Sequence, residues 1–232
     1  LGRRTYRCWK RGGHGPVDLK QALAGSCDVY FYELGKELGV ERLARYAKLF
    51  GLGRSTGLSI RGENGGLVPT PEWKMRTRGE RWIDGETISL SIGQGANLTT
   101  PIQLAVAYSV IANGGNVVQP RLVLRRETWD GKVVEEIDPV IRERNVIAQP
   151  ILEMVTEGLR SVVMDPHGTG RRARVPGISV AGKSGTTQVV SLDLIEGLEP
   201  EEIPVKYRDH AIFAAFAPVE SPEIVVVAVV EH

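Results

Sequence analysis

The chain has 232 residues, 42% of them hydrophobic, and 29 Lys and Arg against 28 Asp and Glu give a formal net charge of +1. This length is enough for one well-packed domain, and the composition is that of a globular protein. The balanced charge argues against a nucleic-acid-binding surface. No apolar run approaches the roughly 18 residues of a membrane span.

The ends of the chain suggest that it is a piece of a longer protein. Leu1 is not an initiator, and nothing near it resembles a signal peptide. The chain stops at His232, directly after an apolar segment. We therefore expect any membrane anchor to lie outside these residues.

Helices are predicted first. Pro16 to Ala24 favours a short helix with Pro16 in its first turn, and a second helix begins at Asp28, which we expect to be its N-cap. Gly39 is expected to stop that helix, and the apolar spacing of Glu41 to Phe50 predicts a third.

The next segment indicates loops and strands. From Gly53 to Gly85 we expect mostly loop around a short strand at Gly57 to Ile60. Glu86 to Ile92 is interpreted as another short strand or as a segment that leads into Gly93-Gln94-Gly95. Gly93-Gln94-Gly95 is interpreted as structural, because no lysine follows to make a phosphate loop. Thr100 is predicted to cap a helix that runs to Ala112.

The remainder is mainly β. Val117-Val118 and Arg121 to Thr128 are expected to pair with Lys132 to Ile137 across Asp130-Gly131, and Ala148 to Met164 predicts the last long helix. Three further strands are predicted at Ile178 to Val190, Ala211 to Ala217 and Ile224 to Val230. The acidic segment Ser191 to Asp209 is expected to be a solvated loop. Helices followed by an antiparallel sheet indicate an α+β fold, with residues 1–175 mainly helices, loops and a hairpin, and 176–232 the sheet.

Lys183-Ser184-Gly185-Thr186 carries chemistry within one predicted strand. A cation and a hydroxyl on an edge strand can hold a substrate carboxylate, and Gly185 leaves space beside the strand. The Thr186 N–H can face a developing oxyanion. These are components of an acyl-transfer site.

Ser26-Cys27-Asp28 lies between two predicted helices. Ser26 and Asp28 can face one way, with Ser26 as the hydroxyl of a proton relay and Asp28 as its hydrogen-bond partner, while Cys27 points away. The simpler alternative is that Asp28 only caps the following helix.

These motifs and four others resemble the transpeptidase domain of class B penicillin-binding proteins, and more closely the elongation-type branch, penicillin-binding protein 2. The match extends over essentially the whole chain. Its segments, in order, are Gly12-Gly13-His14-Gly15, Ser26-Cys27-Asp28-Val29-Tyr30-Phe31-Tyr32, Gly93-Gln94-Gly95, Thr100-Pro101-Ile102-Gln103-Leu104-Ala105, Gly168-Thr169-Gly170 and Lys183-Ser184-Gly185-Thr186. Asp28, where the wider family more often has Asn, points to the elongation branch.

The resemblance implies a penicillin-recognising fold, in which a groove separates an antiparallel sheet packed by helices from an all-helical lobe. It also implies a serine D,D-transpeptidase that cross-links peptidoglycan stem peptides without a catalytic cofactor and is the target of β-lactams. Ser26 and Asp28, with Lys183, Ser184, Gly185 and Thr186, would be catalytic, and Lys183, Ser184, Thr186 and Thr187 would bind the donor carboxylate. Implied partners are a membrane glycosyltransferase and rod-shape scaffold proteins, at the inner membrane on its periplasmic side.

One departure from the family is that no serine is followed three positions later by lysine. The family nucleophile and its lysine base are therefore expected before Leu1. A catalytically silent sensor or scaffold remains open, as does a carboxypeptidase or β-lactamase that deacylates with water.

Cys8, His14 and Cys27 allow two interpretations. Two cysteines in an extracytoplasmic protein favour a disulfide, whereas two thiolates and one imidazole supply three of the four ligands of a structural zinc. Similarity to elongation-type members with a zinc site behind the Ser-x-Asp motif favours zinc. The fourth ligand is expected upstream of Leu1.

Overall fold

The computed structural model describes residues 5–190, 194, 197–199 and 201–231. The α-helices in these residues are α1 Leu19–Gly25, α2 Asp28–Leu49, α3 Pro71–Arg78, α4 Asp84–Ser91, α5 Pro101–Ala112 and α6 Gln149–Met164. The strands are β1 Val117–Val118, β2 Arg125–Glu127, β3 Val133–Glu136, β4 Ile141–Glu143, β5 Ala181–Thr187, β6 His210–Ala217 and β7 Ile224–Val230. The fold is α+β, as predicted.

The main sheet within the described residues is antiparallel, with strand order β5-β6-β7. Lys183 on β5 lies opposite Ala214 on β6, and the other side of β5 carries no strand within these residues. Leu159 of α6 packs with Phe216 of β6, and Tyr108 of α5 joins the same cluster. Burial of these apolar side chains holds the sheet against α5 and α6. Strand β5 is the edge strand on the side of the sheet away from β7.

The helical lobe is built around α1, α2 and α4. Gly39 interrupts the helical geometry of α2 with φ 75° and ψ 161°, which confirms the predicted break. A Cβ at Gly35 would lie 2.3 Å from the Cβ of Ser91, so glycine allows α4 to approach α2 closely.

Two predictions between Gly53 and Ile92 were wrong. The expected loop contains α3, which begins at Pro71 with the Thr70 hydroxyl accepting from the Trp73 N–H at 3.1 Å. Glu86–Ile92, expected to be a strand, lies almost wholly in α4. Its Thr, Ile and Ser residues favour a strand locally, but burial of Thr87 and Ile88 beside α2 overrides that preference. The expected strand at 57–60 is not formed.

Other boundaries also differ from the predictions. Helix α1 begins at Leu19, three residues after Pro16, because Asp18 caps it through the Gln21 N–H. Strands β2 and β3 form the predicted hairpin, but Val117–Val118 pair with β4 instead of with Lys132 to Ile137. Helices α5 and α6 match their predicted ranges within one residue, and Thr100 caps α5 as predicted.

Part of the predicted acidic loop, including Glu196, lies outside the described residues, and Val205–Tyr207 form a short 3-10 helix. Among the helices in the described ranges, none combines the length and apolar character needed to cross a membrane.

Candidate active site

A cleft of about 860 Å³ separates the turn between α1 and α2 from the exposed edge of β5. Its lining contains all of the predicted catalytic residues, Ser26, Asp28, Lys183, Ser184, Gly185 and Thr186. The fold therefore brings together two motifs that are 157 positions apart in the sequence. Thr187, predicted to bind substrate, pairs with His210 on β6 and is not among the residues of this lining.

Ser26 follows α1 in the left-handed conformation, with φ 52° and ψ 55°. This conformation costs a residue with a side chain roughly 1–2 kcal/mol. The sharp turn lets α2 start two residues later, at Asp28, and places the Ser26 side chain in the cleft. Backbone strain at a residue that faces a cleft is common at functional sites.

Lys183 joins the two walls of the cleft. Its ammonium donates to the Ser26 hydroxyl at 2.8 Å and to the Ser184 carbonyl at 2.9 Å. Burial lowers the pKa of Lys183 from its ordinary value to about 8, and the nearby Asp28 carboxylate opposes that shift. The ammonium is therefore mostly charged at neutral pH but close to its titration range.

Asp28 is the first residue of α2 and not its N-cap, which corrects the sequence prediction. Cys27 occupies the cap position without a side-chain capping bond. The Asp28 carboxylate instead accepts the Trp9 backbone N–H at 3.0 Å. The Trp9 indole N–H also donates to the carbonyls of Gly25 and Ser26, at 3.2 and 2.9 Å. Trp9, which the sequence analysis missed, thus fixes the turn that carries Ser26.

A third segment of the cleft wall comes from the loop after α6. The Thr169 hydroxyl lies 3.4 Å from the Ser184 hydroxyl, and its backbone N–H donates to the Ala24 carbonyl at 3.1 Å. Thr169 therefore contacts both β5 and the end of α1. The sequence marks Thr169 only by its place in Gly168-Thr169-Gly170, and that pattern alone does not predict a role for its side chain.

Gln94 was also missed as a site residue. Its side-chain amide donates to the Thr186 carbonyl at 2.6 Å, and its carbonyl accepts the Gln188 N–H at 3.4 Å. The Gly93-Gln94-Gly95 segment, interpreted from the sequence as structural, therefore lies at the cleft and contacts β5.

Cys8, His14 and Cys27 lie together around a separate pocket, and Cys8 also lines the edge of the cleft. One donor atom from each lies within 4.8 Å of the others, and Cys8 Sγ is 3.4 Å from His14 Nδ1. Both thiols are free, so the alternative disulfide is not formed. Sulfur and imidazole nitrogen are the donors that zinc prefers, and the buried Cys27 faces this cluster as its neighbours face the cleft.

Comparison with known proteins gives a consistent result. The family described as "Penicillin binding protein transpeptidase domain" matches residues 2–232. The peptidoglycan D,D-transpeptidase MrdA of Acinetobacter baumannii is 38% identical over 98% of this chain and 33% of its own length. The chain thus spans about a third of that curated relative.

Two solved structures share the fold. One is the complex between penicillin-binding protein 2 and MreC from Helicobacter pylori, with a TM-score of 0.83 and 29% identity over 100% of this chain and 39% of that one. The other, described as "Structural coordination of polymerization and crosslinking by a peptidoglycan synthase complex", gives a TM-score of 0.78 and 34% identity over 99% and 36%. With the family match over nearly every residue, these similarities show that the chain belongs to the penicillin-binding protein transpeptidase domain family.

Proposed function

We propose that this chain forms the C-terminal portion of one transpeptidase domain in a peptidoglycan D,D-transpeptidase of cell elongation. The observation that carries the proposal is the 2.8 Å contact between Lys183 Nζ and Ser26 Oγ, at the edge of a strand open to a cleft. A cation, a relay hydroxyl and a strand edge without a neighbouring strand suit acyl transfer from a peptide carbonyl group. The attacking serine belongs to the part of the protein beyond these residues.

The reaction assigned to the intact protein proceeds in two steps. The serine oxygen attacks the penultimate D-Ala carbonyl of one stem peptide, and an acyl-serine bond replaces the peptide bond. Ser26 relays the proton of the attacking serine hydroxyl to the departing D-Ala amine. An amine of a neighbouring stem then attacks the acyl group, forms the new peptide bond and returns a proton to the released serine.

Residues of β5 would bind and polarise the donor. Lys183, Ser184 and Thr186 hold the terminal carboxylate, and the Thr186 N–H stabilises the oxyanion. Thr187 lies outside the cleft lining and is not assigned to that carboxylate. The Asp28 carboxylate raises the pKa of Lys183 and so favours its charged form. A Cβ at Gly185 would meet only the Ile212 Cβ, at 3.9 Å, so packing within the sheet does not require glycine there. Glycine at position 185 would instead serve to keep the cleft open for substrate.

β-Lactams would acylate the same serine. The partners proposed by analogy are a membrane glycosyltransferase and a rod-shape scaffold, because similar proteins are found in a complex with MreC and in a peptidoglycan synthase complex. We place the protein at the inner membrane, facing the periplasm and anchored by a segment outside this chain.

The test is covalent labelling of the full-length protein with a fluorescent penicillin. Mass spectrometry is expected to find one stable adduct on a serine of a Ser-x-x-Lys motif. Absence of an adduct would support the silent sensor or scaffold instead. An adduct that is lost within minutes, with release of hydrolysed penicillin, would indicate a β-lactamase or carboxypeptidase.

Cys8, His14 and Cys27 are proposed to hold a structural zinc, with a fourth ligand outside this chain. The metal would cross-link the segment before α1 to the start of α2 without taking part in the reaction. The full-length protein is expected to contain one zinc per chain by elemental analysis. Cys27→Ala should lose the metal and unfold at a lower temperature, whereas an oxidised Cys8–Cys27 pair without metal would contradict the assignment.

A further inference from the structure

Gln94 occupies the exposed edge of β5 at the point where substrate is expected to bind. Gln188 lies one residue past the end of β5 and two positions after Thr186, so in extended backbone the hydrogen-bonding groups of both residues point to the same side. The Gln94 side chain reaches both, donating to the Thr186 carbonyl and accepting from the Gln188 N–H. All three residues line the cleft.

The Gln94 carboxamide has the hydrogen-bonding groups of a peptide unit, with an N–H donor on one side and a carbonyl acceptor on the other. Its two partners, the Thr186 carbonyl and the Gln188 N–H just past the end of β5, are those that one residue of an adjoining parallel strand would use. If the amide were flipped, its oxygen would face the Thr186 carbonyl oxygen and its NH₂ group would face the Gln188 N–H, so neither hydrogen bond could form. Gln94 therefore completes a short stretch of the sheet edge with a side chain in place of a strand.

The turn that presents Gln94 comes from the helical wall. Gly93 and Gly95 on either side have φ values of 77° and 79°, in the left-handed region that favours glycine. The Gln94 backbone N–H donates to the Ser89 carbonyl at the end of α4. The side chain therefore extends across the cleft from a supported turn and connects α4 to β5.

We propose that Gln94 is a displaceable latch, which holds the β5 edge in the free enzyme and releases Thr186 and Gln188 when an extended peptide or β-lactam pairs with that edge. This inference rests on the proposed function, because it takes β5 as the substrate-binding strand. While the latch is closed, Gln94 limits how much of the β5 edge is free to pair with a ligand.

A neutral hydrogen bond in contact with water contributes only about 0.5–1.5 kcal/mol, so a ligand can displace the latch. Removing the latch should therefore strengthen initial binding by about three- to tenfold, with the rate of bond formation at saturation unchanged. A residue that merely supports the fold would have the opposite effect, because its removal would disorder the cleft and slow acylation.

The experiment compares full-length wild type with Gln94→Met and Gln94→Ala. Met keeps the volume and loses both hydrogen bonds, whereas Ala loses the volume as well. Stopped-flow labelling with fluorescent penicillin gives the apparent dissociation constant and the limiting acylation rate. We expect both variants to lower the dissociation constant by about three- to tenfold and to leave the limiting rate unchanged. A dissociation constant in Gln94→Met that equals or exceeds that of wild type would overturn the latch.

Amide hydrogen exchange tests the latch without any ligand. In the free wild type the Gln188 N–H should be protected, and Gln94→Met should speed its exchange by about threefold or more. Equal exchange in the two proteins would also overturn the proposal. If the wild type formed no penicillin adduct, the proposed function would fail, and the exchange measurement would still decide whether Gln94 holds the edge.

Discussion

At the scale of single residues, Ser26 combines a strained backbone with a direct contact to Lys183. The serine hydroxyl can accept from the ammonium and donate its own proton, which is what a relay requires. Its left-handed conformation is supported by the surrounding contacts, because Trp9 donates to the Ser26 carbonyl and the Cys27 N–H donates to Ala22. These hydrogen bonds to the backbone of the turn offset the cost of the left-handed conformation at Ser26.

Ser26→Ala should lower the second-order rate constant for penicillin acylation by about 100-fold, because the proton relay is lost. The overall fold should persist, since the turn is held by backbone groups that alanine retains. Stopped-flow labelling of the full-length protein measures the effect. Ser179→Ala, in a serine that bonds Glu220 outside the cleft, is the control and should label at the wild-type rate. A wild-type rate in Ser26→Ala would contradict the relay.

Asp28→Asn should shift the pH dependence of labelling. The Asp28 carboxylate raises the pKa of Lys183, which burial has lowered to about 8. If the ammonium holds the substrate carboxylate, labelling falls as pH rises through that pKa. Removing the acidic charge lowers the pKa further, so the alkaline decline should begin at a lower pH than in wild type. An unshifted decline would show that Asp28 does not control Lys183, and Asp138→Asn, at an exposed position outside the cleft lining, serves as control.

At the scale of elements, β5 shows two glycines with different requirements. A Cβ at Gly182 would lie 2.7 Å from the Ala215 Cβ and 2.8 Å from the Ala214 carbonyl oxygen. A Cβ at Gly185 meets no comparable obstacle. Gly182 is therefore needed for β5 to pair with β6, whereas Gly185 lies where the strand borders the cleft.

Gly182→Ala should destabilise the protein by about 1–3 kcal/mol, because the added methyl overpacks the contact with β6. Gly185→Ala is the matched change on the same strand. It should unfold close to the wild-type temperature but acylate more slowly, since the methyl enters space proposed for the substrate. Thermal unfolding and penicillin labelling separate the two effects, and a larger stability loss in Gly185→Ala would refute this division of roles.

Helix α4 shows how an element can be predicted wrongly and still matter. Its composition indicates a strand, but its first turn is held by the Glu86 carboxylate, which accepts from the Ile83 N–H at 2.9 Å and pairs with Lys74 at 2.8 Å. Lys74 is only 5% exposed and also lies 3.4 Å from Glu80. These ion pairs set the start of α4, whose other end leads into the turn that carries Gln94.

At the scale of the whole molecule, α6 sets the distance between the two walls of the cleft. One part of α6 packs against the sheet through Leu159 and Val163, and another contacts α1, which ends at the Ser26 turn. A Cβ at Gly158 would lie 2.3 Å from Leu23 Cδ1, so α1 approaches α6 closely only because Gly158 has no side chain. Leu23 also lines the cleft.

Gly158→Ala should lower stability by about 1–3 kcal/mol and slow acylation, because α1 and Ser26 move relative to Lys183. The double variant Gly158→Ala/Leu23→Ala should lose less stability than the sum of the single changes, since the second removes the clashing methyl. Denaturant unfolding measures the coupling. Met154→Ala, on the exposed face of α6, should behave like wild type, and additive losses in the double variant would contradict the proposed contact.

The sequence alone determined those features that depend on local patterns. Thr100-Pro101 and the apolar spacing beyond it were sufficient for α5, and an Ala-rich and a Val-rich run were sufficient for β6 and β7. Strand β5 forms within the predicted Ile178 to Val190 but covers only Ala181–Thr187. Motif order identified the family and six of the residues that line the cleft, on both of its walls. These features can be predicted from the sequence because helix caps, apolar periodicity and motifs each depend on residues that are close together in the chain.

Only the tertiary structure decided the features that depend on distant neighbours. Helix α4 forms against its local preference because burial beside α2 stabilises it, and Trp9 reaches the Ser26 turn from 17 positions away. Gln94 meets Thr186 across 92 positions, through a contact between a side chain and a backbone group that has no residue pattern of its own. Hydrogen bonds to backbone atoms depend on where the chain passes and not on which residue it carries there, so the fold alone reveals them.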